Sequence, residues 1–170
     1  IKSTAGVAVF PVSGAVADLR IGDAASADRT SNTFVGNGMG VFIAGLAPVG
    51  PVTIAGNTFG IGSGQSNGGG VFAIGNIPGL TIEQNNFKRN ALGAFVAGTQ
   101  VTDARIERNS FRGGGDYSNL FATFLVKTEG VRIGGDGVGN DFGVNLIHTF
   151  MIEANSTTIS ATRFFSARSR

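Results

Sequence analysis

Hydrophobic and polar positions along this chain recur with a period longer than any single element. The pattern Ile-x-x-Asn-x-Phe stands at Ile54-Ala-Gly-Asn57-Thr-Phe59, at Ile82-Glu-Gln-Asn85-Asn-Phe87 and at Ile106-Glu-Arg-Asn109-Ser-Phe111. Two further copies carry an insertion, with Ile21 leading to Asn32-Thr33-Phe34 and Ile133 to Asn140-Asp141-Phe142. A last copy, Ile159-Ser-Ala-Thr162-Arg-Phe164, has Thr in place of Asn. A second pattern accompanies the first, a polar turn residue five positions ahead of a Phe: Asn37 and Phe42, Asn67 and Phe72, Asn90 and Phe95, Asp116 and Phe121, Asn145 and Phe150. Its clearest copies read Gly40-Val-Phe-Ile-Ala-Gly45, Gly70-Val-Phe-Ala-Ile-Gly75 and Gly93-Ala-Phe-Val-Ala-Gly98. Repeats of roughly 22 to 33 residues, built of short β-type runs between Gly and Asn and without a 3.6-residue period, predict the coils of a β-solenoid. The expected fold is all-β, a right-handed parallel β-helix of about six coils forming a single domain over residues 1–170.

The recurring residue types suit that architecture. Each coil turns corners where the backbone enters left-handed conformations, which Gly and Asn tolerate at least cost. Asn side chains stacked about 4.8 Å apart along the axis can join amide to amide from coil to coil, satisfying polar groups that the stack buries. Ile and Phe at equivalent positions stack into apolar columns, and six coils make a rod of roughly 30 Å.

In these repeats, from about Val7 to Phe165, the chain resembles the right-handed parallel β-helices of the pectin-lyase-like superfamily. The resemblance implies the fold. It leaves the activity open, because that superfamily holds lyases, hydrolases, epimerases, tailspikes, adhesins and structural modules. Neither the clustered aspartates of its polygalacturonases nor the calcium-plus-arginine set of its pectate lyases is found here, which points away from those enzymes.

The Gly-Val-Phe-Ile-Ala-Gly segments are apolar on both faces, although successive strand residues point to opposite sides. With Val41 and Ile43 inward, as the resemblance implies, Phe42, Phe72, Phe95, Phe121 and Phe150 form an outward stripe flanked by Ala44, Ile74, Ala97 and Ile152. Strands apolar on both sides are normally covered on both sides, and an open aromatic stripe of this length marks an interface. The alternative is a cover from the same chain, such as the segment Ala47-Pro48-Val49-Gly50-Pro51. A second constellation is charged. Glu83 and Glu107 follow the repeat Ile in neighbouring coils, Arg20, Arg105 and Arg132 precede it, and Arg108 lies beside them. Paired carboxylates about 5 Å apart are what a retaining glycosidase uses; a solvated face of weak ion pairs has the same appearance.

Composition narrows the function further. Charged residues are 14% of the chain, against 28 glycines and 42% hydrophobics, which favours a packed, turn-rich fold over disorder. The net charge of +2 includes Arg163, Arg168 and Arg170, and no basic stripe of the kind that neutralises phosphates is present, so nucleic acid is not an expected partner. Without cysteine there is neither disulfide stapling nor thiolate chemistry. No apolar run approaches the roughly 20 residues of a membrane-spanning helix. The loop Gly134-Gly135-Asp136-Gly137-Val138-Gly139-Asn140-Asp141 is similar to calcium-binding Gly-Asp repeats but occurs once, and His148 is the only histidine, so no metal and no cofactor are expected. No amphipathic capping helix is readable at either end, which leads to the expectation of a piece of a longer rod or of ends covered by neighbours. These features together predict a non-catalytic extracellular or cell-surface structural or adhesive module that self-associates or packs on another domain. The alternative is a polysaccharide lyase, hydrolase or carbohydrate-binding module working through Glu83, Arg105, Glu107, Arg108 and Arg132.

Overall fold

Ile21, Ile54, Ile82, Ile106, Ile133 and Ile159 form one column in the computed structural model, each in register with the next. The structure describes residues 3–11, 13–14, 16–25, 31–61, 64–112 and 119–164. Among them are eighteen strands, numbered in chain order, and no helix. The first sheet holds β1 (Ala5–Val9), β4 (Met39–Gly45), β7 (Gly69–Gly75), β10 (Leu92–Ala97), β13 (Phe121–Val126) and β16 (Ile147–Ile152). The second holds β2 (Leu19–Gly22), β5 (Val52–Ala55), β8 (Thr81–Glu83), β11 (Arg105–Glu107), β14 (Arg132–Ile133) and β17 (Thr158–Ile159). The third holds β3 (Thr33–Phe34), β6 (Thr58–Phe59), β9 (Asn86–Phe87), β12 (Ser110–Phe111), β15 (Asp141–Phe142) and β18 (Arg163–Phe164). Each coil gives one strand to each sheet and every neighbouring pair is parallel, so the fold is a parallel β-solenoid of six coils.

Two asparagine ladders run the length of this stack, at the corners flanking the third sheet. In the first, the backbone N–H and the Nδ2 of Asn57 donate to Oδ1 of Asn85 at 2.9 and 3.1 Å. Asn85 does the same to Asn109, and Asn109 to Asn140. Each Nδ2 spends its other proton on a carbonyl of the preceding coil, as Asn109 does on Ile82 at 2.8 Å. The second ladder, Asn37, Asn67, Asn90, Asn119 and Asn145, repeats the scheme. The positions read as turn residues are thus also a buried hydrogen-bonded column. The amide offers two N–H donors and an acceptor oxygen at every rung, whereas aspartate has no donor and serine only one, which is why neither recurs there.

The third sheet sends its phenylalanines inward. Phe34, Phe59, Phe87, Phe111, Phe142 and Phe164 stack with centroids 4.7 to 5.3 Å apart and planes within 5 to 11° of parallel. Opposite them the first sheet carries small residues: a Cβ added to Gly40 would lie 2.6 Å from Cδ1 of Phe59, and one added to Gly70 would lie 2.6 Å from Cδ1 of Phe87. Ala122 continues this column and His148 ends it. There the imidazole packs edge-on to Phe142 and Phe164, with Nε2 3.1 Å from the carbonyl oxygen of Gly143. The histidine is a satisfied packing residue.

The corner ahead of the first ladder needs a left-handed residue. Gly56, Gln84 and Arg108 occupy it with φ of 68, 53 and 52°. In the last described coil the inward columns emerge into solvent: Met151 is 45%, Ile159 40% and Phe164 51% exposed, whereas Leu125, Ile133 and Phe142 one coil earlier are fully buried. No helix among the described residues is long and apolar enough to cross a membrane.

Candidate functional site

Alternation along the first sheet decides which residues face outward. Val41, Ile43 and Gly45 are buried while Phe42 and Ala44 between them are half-buried, and the alternation of Val41 to Ala44 recurs in β7, β10 and β13. The outward rungs in register are Phe42, Phe72, Phe95, Phe124 and Phe150. The expected fourth rung, Phe121, is therefore corrected to Phe124. Phe121 lies three residues earlier, in register with Leu92 and Ile147. The physical reason is the second ladder: its rung is Asn119, five residues ahead of Phe124, because only an amide can pass hydrogen bonds from Asn90 on to Asn145. Asp116 lies outside the described residues.

Phe121 nevertheless belongs to the same outer face. A local irregularity turns both Ala122 and Thr123 inward, fully buried, so that Phe121 and Phe124 point outward together, with ring centroids 5.4 Å apart. The same irregularity places Met39, Gly69, Leu92 and Ile147 beside the Phe stripe, and the Phe72 ring lies over Gly69, where a Cβ would collide with it. Rings touch along the stack: Phe72 and Phe95 are stacked at 5.1 Å, Phe95 and Phe124 tilted at 5.4 Å, and Phe124 and Phe150 tilted at 4.9 Å. On the other side of the stripe run Ala44, Ile74, Ala97, Val126 and Ile152. From β4 to β16 this outer face carries no polar side chain. With strands about 4.8 Å apart and about 20 Å long, it covers on the order of 500 Å², the size of the largest apolar patch on a typical monomer, which is often a functional surface.

The segment Ala47 to Pro51 does not cover it. Val49 bridges Val16 and donates its N–H to the carbonyl of Asn76 at 3.0 Å, which builds the segment into the corner between the first and second sheets.

The charged residues fall on the second sheet as expected. Arg105 pairs in register with Arg132, and Glu83 with Glu107, so like charges lie directly above one another, the arginines exposed and the glutamates half-buried. Arg108 stands at the left-handed corner, its N–H bonded to the carbonyl of Val138 at 3.0 Å. The close ion pairs among the described residues are Arg20, on β2 of the same sheet, with Asp18 at 3.0 Å, Arg112 with Asp141 at 2.7 Å and Lys127 with Glu153 at 3.9 Å. All three are exposed enough to contribute little to stability. The concavities at Lys127 and Glu153, at Asp141 and Arg163, and at Asn37 and Arg89 are lined by none of Glu83, Arg105, Glu107 and Arg132. The glycine-rich loop at 134–140 joins β14 to β15, and no group of three or more metal-binding side chains converges among the described residues.

Compared with known proteins, the chain matches no family model, no curated protein and no solved structure.

Proposed function

We propose that this chain is a non-catalytic extracellular structural or adhesive β-helix, of the pectin-lyase-like type, that associates through the outer face of its first sheet. One observation carries the reading: every outward side chain from Met39 to Ile152 on that face is apolar, and phenylalanine recurs in register at its centre. A soluble sheet that faces water on one side alternates apolar with polar residues; one apolar on both sides is a sheet covered on both sides. The reading predicts that the wild-type protein either assembles in solution or is retained on a phenyl-bearing surface, and that Phe72→Asp with Phe95→Asp removes that behaviour while leaving the circular-dichroism spectrum of the stack intact. A wild type that behaves like the double variant in both measurements overturns it.

A second reading rests on the other face. Arg105 over Arg132 and Glu83 over Glu107 are like-charge pairs that in-register stacking makes mildly unfavourable, and an anionic glycan set between the arginines would relieve the repulsion of that pair. Binding or cleavage across a panel of uronate polymers and neutral glycans tests it. Full activity in a Glu83→Gln, Glu107→Gln variant, or no response to the panel, removes it.

A further inference from the structure

Resting on the first reading above, we infer that the occupant of the phenylalanine face is a second copy of this chain, packed sheet on sheet about a two-fold axis. The face itself selects the occupant. Without a polar side chain from β4 to β16, it offers nothing to orient a sugar or to neutralise a charged partner, so the counterface must be apolar too. Its shape narrows the choice further. A helix about 10 Å across, even laid along the stripe, spans about half of the face's roughly 20 Å width and would leave a flanking column wet; a second twisted sheet covers all of it at about 10 Å separation.

Self-complementarity follows from the columns. Phenylalanine forms a ridge, and in the column beside it Ala44 and Ala97 leave low points on either side of Ile74. Ridge can then lie beside ridge with small residues beneath, as sheet faces interdigitate in sandwiches. A two-fold axis superposes like on like, which is costly for charged patches; this one has no charge to repel. Two faces of on the order of 500 Å² bury about 1,000 Å², the lower bound for a specific interface. The expected dimer is therefore real but of moderate affinity, and cyclic pairs are the commonest assemblies.

The absence of native cysteine makes the test direct. Sedimentation at about 100 μM should give a mass near twice 17.3 kDa, falling to the monomer in Phe72→Asp with Phe95→Asp. Ala97→Arg, which adds charge to the face without removing a ring, should do the same, and guards against a variant that fails to fold. A single cysteine at Ala97 should yield a cross-linked dimer, whereas one at Thr81, on the outer face of the second sheet, should not. A monomeric wild type with no Ala97→Cys cross-link overturns the second copy. If that monomer is still held on a phenyl surface and the charged variants are not, the association face survives with another apolar partner; if none is held, both readings fall. A dimer that persists in the charged variants places the contact elsewhere and also overturns the inference.

Discussion

Nδ2 of Asn85 donates to Oδ1 of Asn109 at 3.1 Å in the middle of the stack, and Oδ1 of Asn109 accepts the backbone N–H of Asn85 as well, at 2.9 Å. One carboxamide oxygen thus holds two protons of the coil before it, while its own nitrogen serves Ile82 and Asn140. Asn109 is 1% exposed, so no solvent is at hand to replace these partners. Asn109→Leu should cost about 3 kcal/mol or more, because it strands several buried donors and acceptors together. A urea titration should show the midpoint falling at unchanged slope. Asn32→Leu, at an exposed first rung whose Nδ2 bond to Asn57 is only part-buried, should cost less than half as much.

The isoleucine and phenylalanine columns and the first ladder were legible in the sequence because one residue type fills one place in every coil, and the stacking distance makes like neighbours of like. The fourth rung of the outer stripe was not. The segment from Asp116 to Phe124 offers two polar-to-Phe pairs at the same five-residue spacing, Asp116 with Phe121 and Asn119 with Phe124. Spacing cannot choose between them; donor chemistry can, since a carboxylate cannot donate the next rung of an amide ladder. The inward pair Ala122 and Thr123 was also hidden, because strict alternation would send one of them out. The apolar character of the outer face was legible as well, because Val, Phe, Ile and Ala fill successive places in its strands.

The role that sequence gives glycine generally is at corners, yet Gly70, inside β7, packs in the core. A methyl group there would meet the carbonyl oxygen of Gly93 at 2.6 Å and the Phe87 ring at 2.6 Å, and both neighbours are held within the stack. Gly70→Ala should therefore destabilise the fold by about 2 kcal/mol through overpacking. Gly137→Ala is the control: its φ is +68° but nothing lies within 4 Å of the added carbon, so only the left-handed strain of about 1 kcal/mol should appear. Thermal melts of the two variants rank them, and a Gly70→Ala protein as stable as the wild type would remove the packing role.

The corner ahead of the first ladder predicts a gain. Gln84 holds φ at 53° in the place that Gly56 fills at 68°. A side chain in the left-handed region carries roughly 1 kcal/mol of strain that glycine lacks, offset in part by glycine's greater freedom in the unfolded chain. Gln84→Gly should raise stability by about 0.5 kcal/mol, measurable as an upward shift of the urea midpoint. The reverse change at Gly56 should be severe, because an added carbon there collides with the carbonyl of Asp23.

Thr128 supplies the sharpest contrast, since the same substitution should have opposite signs at two threonines. It lies between Val101 and Ala154 in an inward column, fixed by the bridges of Thr102 to Glu129 and of Glu129 to Asn155. The side chain is 1% exposed and its Oγ1 has no hydrogen-bond partner. An unsatisfied buried hydroxyl costs about 1 to 3 kcal/mol, and valine keeps the shape while replacing the hydroxyl with a methyl. Thr128→Val should stabilise the stack by about 1 kcal/mol. At Thr123, equally buried, Oγ1 donates to Oγ1 of Thr149 at 2.9 Å, and Thr123→Val should instead lose about 1 kcal/mol by stranding that partner. Equilibrium unfolding of the two variants side by side decides the matter: two shifts of the same sign would mean that hydrogen bonding, and not volume, had been misread as the difference between these sites.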